Sequence, residues 1–216
     1  MARPKIPRKS TNIDMTAMCD VAFLLLSFFI LTTKFKKAEP VTIQTPNSVS
    51  SKASPEENIV VVTIAKDGKV FLSMDKEDKK KNVLEALNAQ RGLGLSDGEI
   101  DKLSKQPIFG ADVNQLKQIA ALPIEKINGD NLPGLTVKDS TQNQMVEWLG
   151  AVTTVYPRRS DMTLLLNGDQ ESKYPALKNV MYAFKKNNLM NFKLVTNPES
   201  IPAGTALYAD TYTKKN

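Results

Sequence analysis

Asp20 is an ionisable side chain inside the one stretch of this sequence apolar enough to cross a bilayer. Ile13 to Thr33 reads IDMTAMCDVAFLLLSFFILTT, with no Lys or Arg within it. Roughly 20 predominantly apolar residues span a hydrocarbon core about 30 Å thick. An Asp near the centre of such a helix costs roughly 2.5–3.5 kcal/mol on insertion scales, so a bare anchor would be better without it. Protonation, or a polar lumen supplied by other helices, offsets that cost. Either route makes Asp20 a candidate for carrying protons. Thr16 and Ser27 stand at i−4 and i+7 from it, which places all three on one helical face. Asp14 is positioned to cap the helix start, where an acidic side chain meets free amides.

Other chemistries are hard to build from this composition. The chain has 216 residues, no His and one Cys, Cys19. Intramolecular disulfides, His-based triads and the usual His/Cys zinc sites are excluded together. Lys66-Asp67-Gly68-Lys69 and Leu93-Gly94-Leu95 lack the spacing of a phosphate-binding loop. Asp97-Gly98-Glu99 and Asp101 do not have the spacing of a calcium-binding EF-hand, and they fit a solvated helix start. The expectation is a protein that is not an enzyme and takes no cofactor or metal. The net charge of +6 is diluted among many acidic residues, with no Arg-rich stripe interleaved with aromatics, so no nucleic-acid partner is expected.

The elements that must position Asp20 begin with a basic arm, residues 1–12, holding Arg3, Lys5, Arg8 and Lys9. The segment 13–33 reads as an uncleaved transmembrane helix. Its end, Leu31-Thr32-Thr33-Lys34, offers no small-x-small cleavage site, and signal-peptide cores avoid residues such as Asp20. Lys34, Lys36 and Lys37 follow closely, so charge asymmetry is slight, but a short arm before a large domain fits an N-in anchor. Residues 34–58, rich in Ser, Pro and charge, read as a flexible linker. As free coil such a linker spans on the order of 27 Å, with a stretched limit of about 80 Å. Val41-Thr42-Ile43 within it could add a strand on meeting a partner.

Residues 59–200 read as a folded domain. Ile59–Ala65 and Val70–Ser73 flank Asp67-Gly68, a hairpin signal. Ser140 is placed to cap a helix whose Met145, Trp148, Leu149, Val152 and Tyr156 form one apolar stripe. Thr163–Asn167 reads as a buried strand, a helix starts near Pro175, and Phe192–Thr196 closes a β-α-β unit with parallel pairing. The expected fold is α/β (α+β): a small mixed sheet with helices packed on it, preceded by a single transmembrane helix. Residues 75–138 read as a helical insert, with a capping box at Ser96–Glu99 and an Asp112 cap, and residues 201–216 as a tail.

These features together resemble the ExbD/TolR family of biopolymer-transport proteins. The residues that carry the resemblance run from Ile13 through Asp20-Val21-Ala22-Phe23-Leu24-Leu25-Leu26 to Phe29. A second region, Leu166-Asn167-Gly168-Asp169 through Lys173-Tyr174 to Val180-Met181, is similar to the family's strand, Asp, Tyr-containing turn and helix. Ala17 stands where the family usually has Pro, and 75–138 is longer than the corresponding connection.

The resemblance implies a bacterial inner-membrane motor subunit, N-terminus cytoplasmic and residues 34–216 periplasmic. It implies a homodimer whose helices sit inside an ExbB/TolQ-like multispan partner, with protons crossing through Asp20. Work would then reach a TonB- or TolA-like transducer and energise transport across the outer membrane. One charge crossing 100 mV releases about 2.3 kcal/mol, comparable to the insertion penalty of one Asp. Two alternatives stand beside this: a TolR-like role in envelope integrity, and a membrane-anchored periplasmic scaffold with no proton role.

Overall fold

The computed structural model describes residues 15–32, 39–49, 57–139, 141–205 and 208. Two compact units result, one within Met1–Ala38 and one within Glu39–Asn216. In the first, α1 runs from Met15 to Thr32, 18 residues without a Gly, Pro or charged residue except Asp20. It buries no side chain within its unit. At 1.5 Å per residue it is about 27 Å long, close to the hydrocarbon thickness of a bilayer. By length and composition it can cross a membrane.

The second unit is built on a four-stranded sheet. A short strand β1 (Asn47–Ser48) comes first, then β2 (Ile59–Ile64) and β3 (Val70–Met74) form the expected hairpin. Its turn is held by the Lys69 amide donating to Asp67 Oδ1 at 3.0 Å, with Gly68 at φ 89° where a side chain would be strained. After it come α2 (Glu77–Arg91), α3 (Asp97–Ser104), α4 (Leu116–Ala120) and α5 (Gln144–Val155). Next are β4 (Thr163–Gly168), α6 (Tyr174–Lys186), β5 (Phe192–Leu194) and β6 (Asn197–Pro198). The sheet order is β3-β2-β4-β5; β2 pairs antiparallel with β3 and parallel with β4, and β4 pairs parallel with β5. This is the mixed sheet and the β-α-β unit that the sequence pattern predicts.

The alternation of β2 sends Val60, Val62 and Ile64 to one face, where they meet Val70, Leu72, Leu164 and Leu166. Trp148, Leu149 and Val152 of α5 and Val180 and Phe184 of α6 cover that face. The helix bearing Trp148 begins at Gln144 with Asn143 as its cap residue, so the start expected at Ser140 moves three residues on; Ser140 itself lies outside the described residues.

The segment 75–138 is helical as expected, and it is built into the core. Val83, Leu84 and Leu87 of α2 are fully buried in the main cluster, and α2 packs on α5 and α3. Phe109 stacks on Trp148 with ring centroids 4.8 Å apart. It also exchanges two backbone hydrogen bonds with Leu72, and the Leu135 amide donates to Val70 O at 2.8 Å. Phe109 and Leu135 thereby cover the outer edge of β3, which would otherwise present unpaired amides. The capping box forms as read: Ser96 Oγ accepts from the Glu99 amide, and Glu99 Oε2 accepts from the Ser96 amide at 2.8 Å.

Residues 39–49, expected to be flexible linker, instead lie on the folded unit. Val41 is buried with Phe71, Ile108, Ile127 and Leu132 on the far face of the hairpin. The strand formed within this stretch is β1, which pairs parallel with β6.

Candidate functional site

The candidate proton site is a property of α1 alone. Asp20 lies about 8 Å along the helix from Met15, with Leu, Phe, Val and Ile around and beyond it. Thr16, Asp20 and Ser27 fall within about 40° of one another around the axis, as the 3.6-residue period requires. The rise separates them: about 6 Å from Thr16 to Asp20 and about 10 Å from Asp20 to Ser27. They form a polar stripe, not a contacting triad.

Ser27 Oγ donates to Phe23 O at 2.6 Å, so its hydrogen is committed to its own helix. Thr32 does the same with Phe28 O at 2.8 Å. Such bonds satisfy hydroxyls in an apolar setting at no cost in partners. A carboxylate has no equivalent donor to offer until it is protonated. The rest of α1 is an apolar surface exposed all round, including Phe23, Leu25, Phe28 and Phe29. A helix hydrophobic on every side suits lipid or a surrounding bundle. Asp14 lies outside the described residues.

In the second unit, Asp169 stands out as a buried carboxylate without a buried cation beside it. It follows β4, where the sheet delivers the chain to the start of α6. Its Oδ2 accepts the Gln44 amide at 2.9 Å and its Oδ1 the Glu171 amide at 2.8 Å. These amides, the Gln44 one first, hold the Asp169 carboxyl below the usual carboxylate range. Lys66, ion-paired with Glu171 on the hairpin turn, adds a weaker pull in the same direction. Sequence reading places Asp169 in a family-like turn but not against residue 44, because nothing local signals a contact across that distance.

Two acidic residues of α3 are engaged in structural work. Glu99 caps α3 and Asp101 pairs with Lys105 at 2.8 Å, the helix-start arrangement expected there. Among the described residues no cluster of three or more potential metal-ligating side chains occurs.

Comparison with known proteins joins both units. The family profile described as "Biopolymer transport protein ExbD/TolR" matches residues 7–199, which contain α1 and the whole sheet. "Biopolymer transport protein ExbD" of Aquifex aeolicus (strain VF5) is 24% identical over 98 residues, covering 44% of this chain and 74% of that protein. "Biopolymer transport protein exbD2" of Vibrio cholerae serotype O1 is 29% identical over 68 residues, covering 31% of this chain and 51% of its own length. No solved structure matches significantly.

Proposed function

This chain belongs to the ExbD/TolR family of biopolymer transport proteins, and from that premise we propose that it is the single-span, proton-carrying subunit of an inner-membrane motor. The observation that carries the reading is Asp20: the one charged residue on an 18-residue, predominantly apolar helix. A structural anchor gains nothing from it, whereas a proton carrier requires it. Neutral Asp20 crosses an apolar zone, and a polar lumen accepts the charged form. A helix that moves between the two takes up a proton on one side and releases it on the other.

A polar lumen requires other helices, so the partners are a second copy of this chain and an ExbB/TolQ-like multispan protein. The domain on the far side hands the motion to a TonB- or TolA-like transducer, and transport across the outer membrane is the work done. The N-terminus is cytoplasmic and residues 34–216 are periplasmic in this arrangement. The names of both relatives favour the ExbD role over the TolR role.

The deciding experiment is Asp20→Asn in cells, with uptake driven by the proton gradient measured beside recovery of the membrane complex. Asn keeps the size and hydrogen-bonding reach of Asp but does not titrate. The expected outcome is normal insertion and complex formation with uptake abolished. Wild-type uptake in that variant would reduce Asp20 to a structural contact and leave the scaffold reading.

A further inference from the structure

We propose that the outward face of α6 is a docking surface for an anionic phospholipid bilayer. The proposal rests on the membrane reading of α1 only for the presence of a bilayer, and it is separate from the proton role of Asp20.

α6 reads YPALKNVMYAFKK, with three Lys and no Asp or Glu. Its buried residues Ala176, Val180, Ala183 and Phe184 make the core face. At about 100° per residue, Tyr174, Lys178, Tyr182 and Lys185 fall within about 80° on the opposite face, over about 17 Å of helix. All four are exposed, Tyr174 by 73% and Tyr182 by 38%. Lys173 before the helix and Lys186 at its end extend the basic row. Among the described residues none of these lysines has a carboxylate partner. The other long helices mix their charges. α2 sets Glu77, Asp78 and Glu85 among its lysines, and α3 sets Asp97, Glu99 and Asp101 beside Lys102. The single sign belongs to α6.

The residue types select the occupant. A row of Lys attracts an anionic surface, and a two-fold contact with a second copy through this face would set lysines against lysines. Tyr is enriched where water meets hydrocarbon, with its ring among headgroups and its hydroxyl wet. Lys suits the same boundary, with an apolar stem and a charged head. Alternating the two gives α6 the outward composition of an interfacial helix, while its other face holds the core. An acidic soluble partner would meet the lysines alone. α1, by length and composition a membrane span, instead keeps a lipid surface at high effective concentration.

The end of α6 is fixed, not frayed. The Leu189 amide donates to Phe184 O at 2.8 Å and the Asn188 amide to Lys185 O at 3.2 Å, with Asn188 left-handed at φ 55°. That turn holds Met190, 53% exposed, just beyond Lys185 and Lys186. An apolar tip thus stands beside the last two cations of the row.

The test uses the full chain in nanodiscs of equal parts phosphatidylglycerol and phosphatidylcholine carrying spin-labelled headgroups. In a Cys19→Ser background a bimane is placed at Met190→Cys or, as reference, at Gln118→Cys, exposed on α4. Quenching at 190 should exceed that at 118 about threefold or more, and should fall to the reference level in pure phosphatidylcholine or in about 0.5 M salt. Lys178→Glu with Lys185→Glu should abolish the excess, and Tyr174→Ser with Tyr182→Ser should lower it by about half. Emission from Trp148, the only Trp, reports an intact core in each variant. If a variant loses it, the lipid and salt arms decide. Equal quenching at the two positions, or an excess indifferent to lipid charge or to the lysine reversal, overturns the proposal. So does an absent excess in a chain that binds polyglutamate, which would make the face a site for an acidic protein. A chain that does not stay in the nanodisc loses the membrane reading of α1 instead. Co-sedimentation with phosphatidylglycerol vesicles, with and without the lysine reversal, then decides the α6 surface by itself.

Discussion

Ser27 donates its hydroxyl hydrogen to Phe23 O, so it offers lone pairs but no free hydrogen to the face it shares with Asp20. The Ser27→Ala variant is therefore expected to retain most gradient-driven uptake, while Asp20→Glu, ionisable but longer by a methylene, keeps partial uptake only in a roomy lumen. Transport assays of the two beside Asp20→Asn check that order. Asp169 carries a pH signature. Its folded carboxyl sits below the ordinary value of 3.8, so its contribution to stability is complete well above that value and is lost as pH falls through the folded one. Protection of the Gln44 amide, followed against pH, should fall at the acid end and not near neutrality. Gly110 is a third critical position: a Cβ there would lie 2.3 Å from Phe71 Cδ1. Gly110→Ala must displace a buried ring, which costs about 1–3 kcal/mol in denaturant unfolding of the domain. Asp20 was legible in the sequence because charge in an apolar run is a local anomaly. Asp169 and Gly110 were not, since their partners, Gln44 and Phe71, are distant in the chain.

At the level of elements, local signals were reliable and packing destinations were not. The Asp67-Gly68 turn, the Ser96–Glu99 capping box and the stripe containing Trp148 all form where residue spacing places them, because each is satisfied within a few residues. The segment 75–138 reads as an insert because it interrupts a strand-helix-strand pattern, yet its α2 is wedged against α5 through Val83, Leu84 and Leu87. Deleting residues 77–91 is therefore expected to unfold the domain, and Leu87→Ala to cost about 2–5 kcal/mol, both measurable by denaturant melts of the solubilised protein. Residues 39–49 gave the opposite error. Ser, Pro and polar residues suggest a free linker, and the docking rests on backbone hydrogen bonds and on Val41, whose partners are distant in the chain.

For the whole molecule, an apolar helix followed by an α/β unit is the arrangement the sequence predicts, and the family match spans both. Orientation is open to direct measurement. A Lys186→Cys variant with Cys19→Ser, exposed on α6, should react with a membrane-impermeant thiol reagent once the outer membrane is permeabilised. Labelling only after the inner membrane is breached would reverse the proposed topology. The pairing of β2 with β4 also has a consequence in time. Ile59 lies beside Thr163, so the two central strands meet only after roughly 100 further residues have been made. At about 5–20 residues per second that is a wait of about 5–20 s. During that interval the Val60-Val61-Val62 run has the β3 hairpin as its only sheet neighbour. A newborn chain thus carries an uncovered β-branched edge until β4 is made, and in the proposed arrangement it does so on the periplasmic side of the membrane.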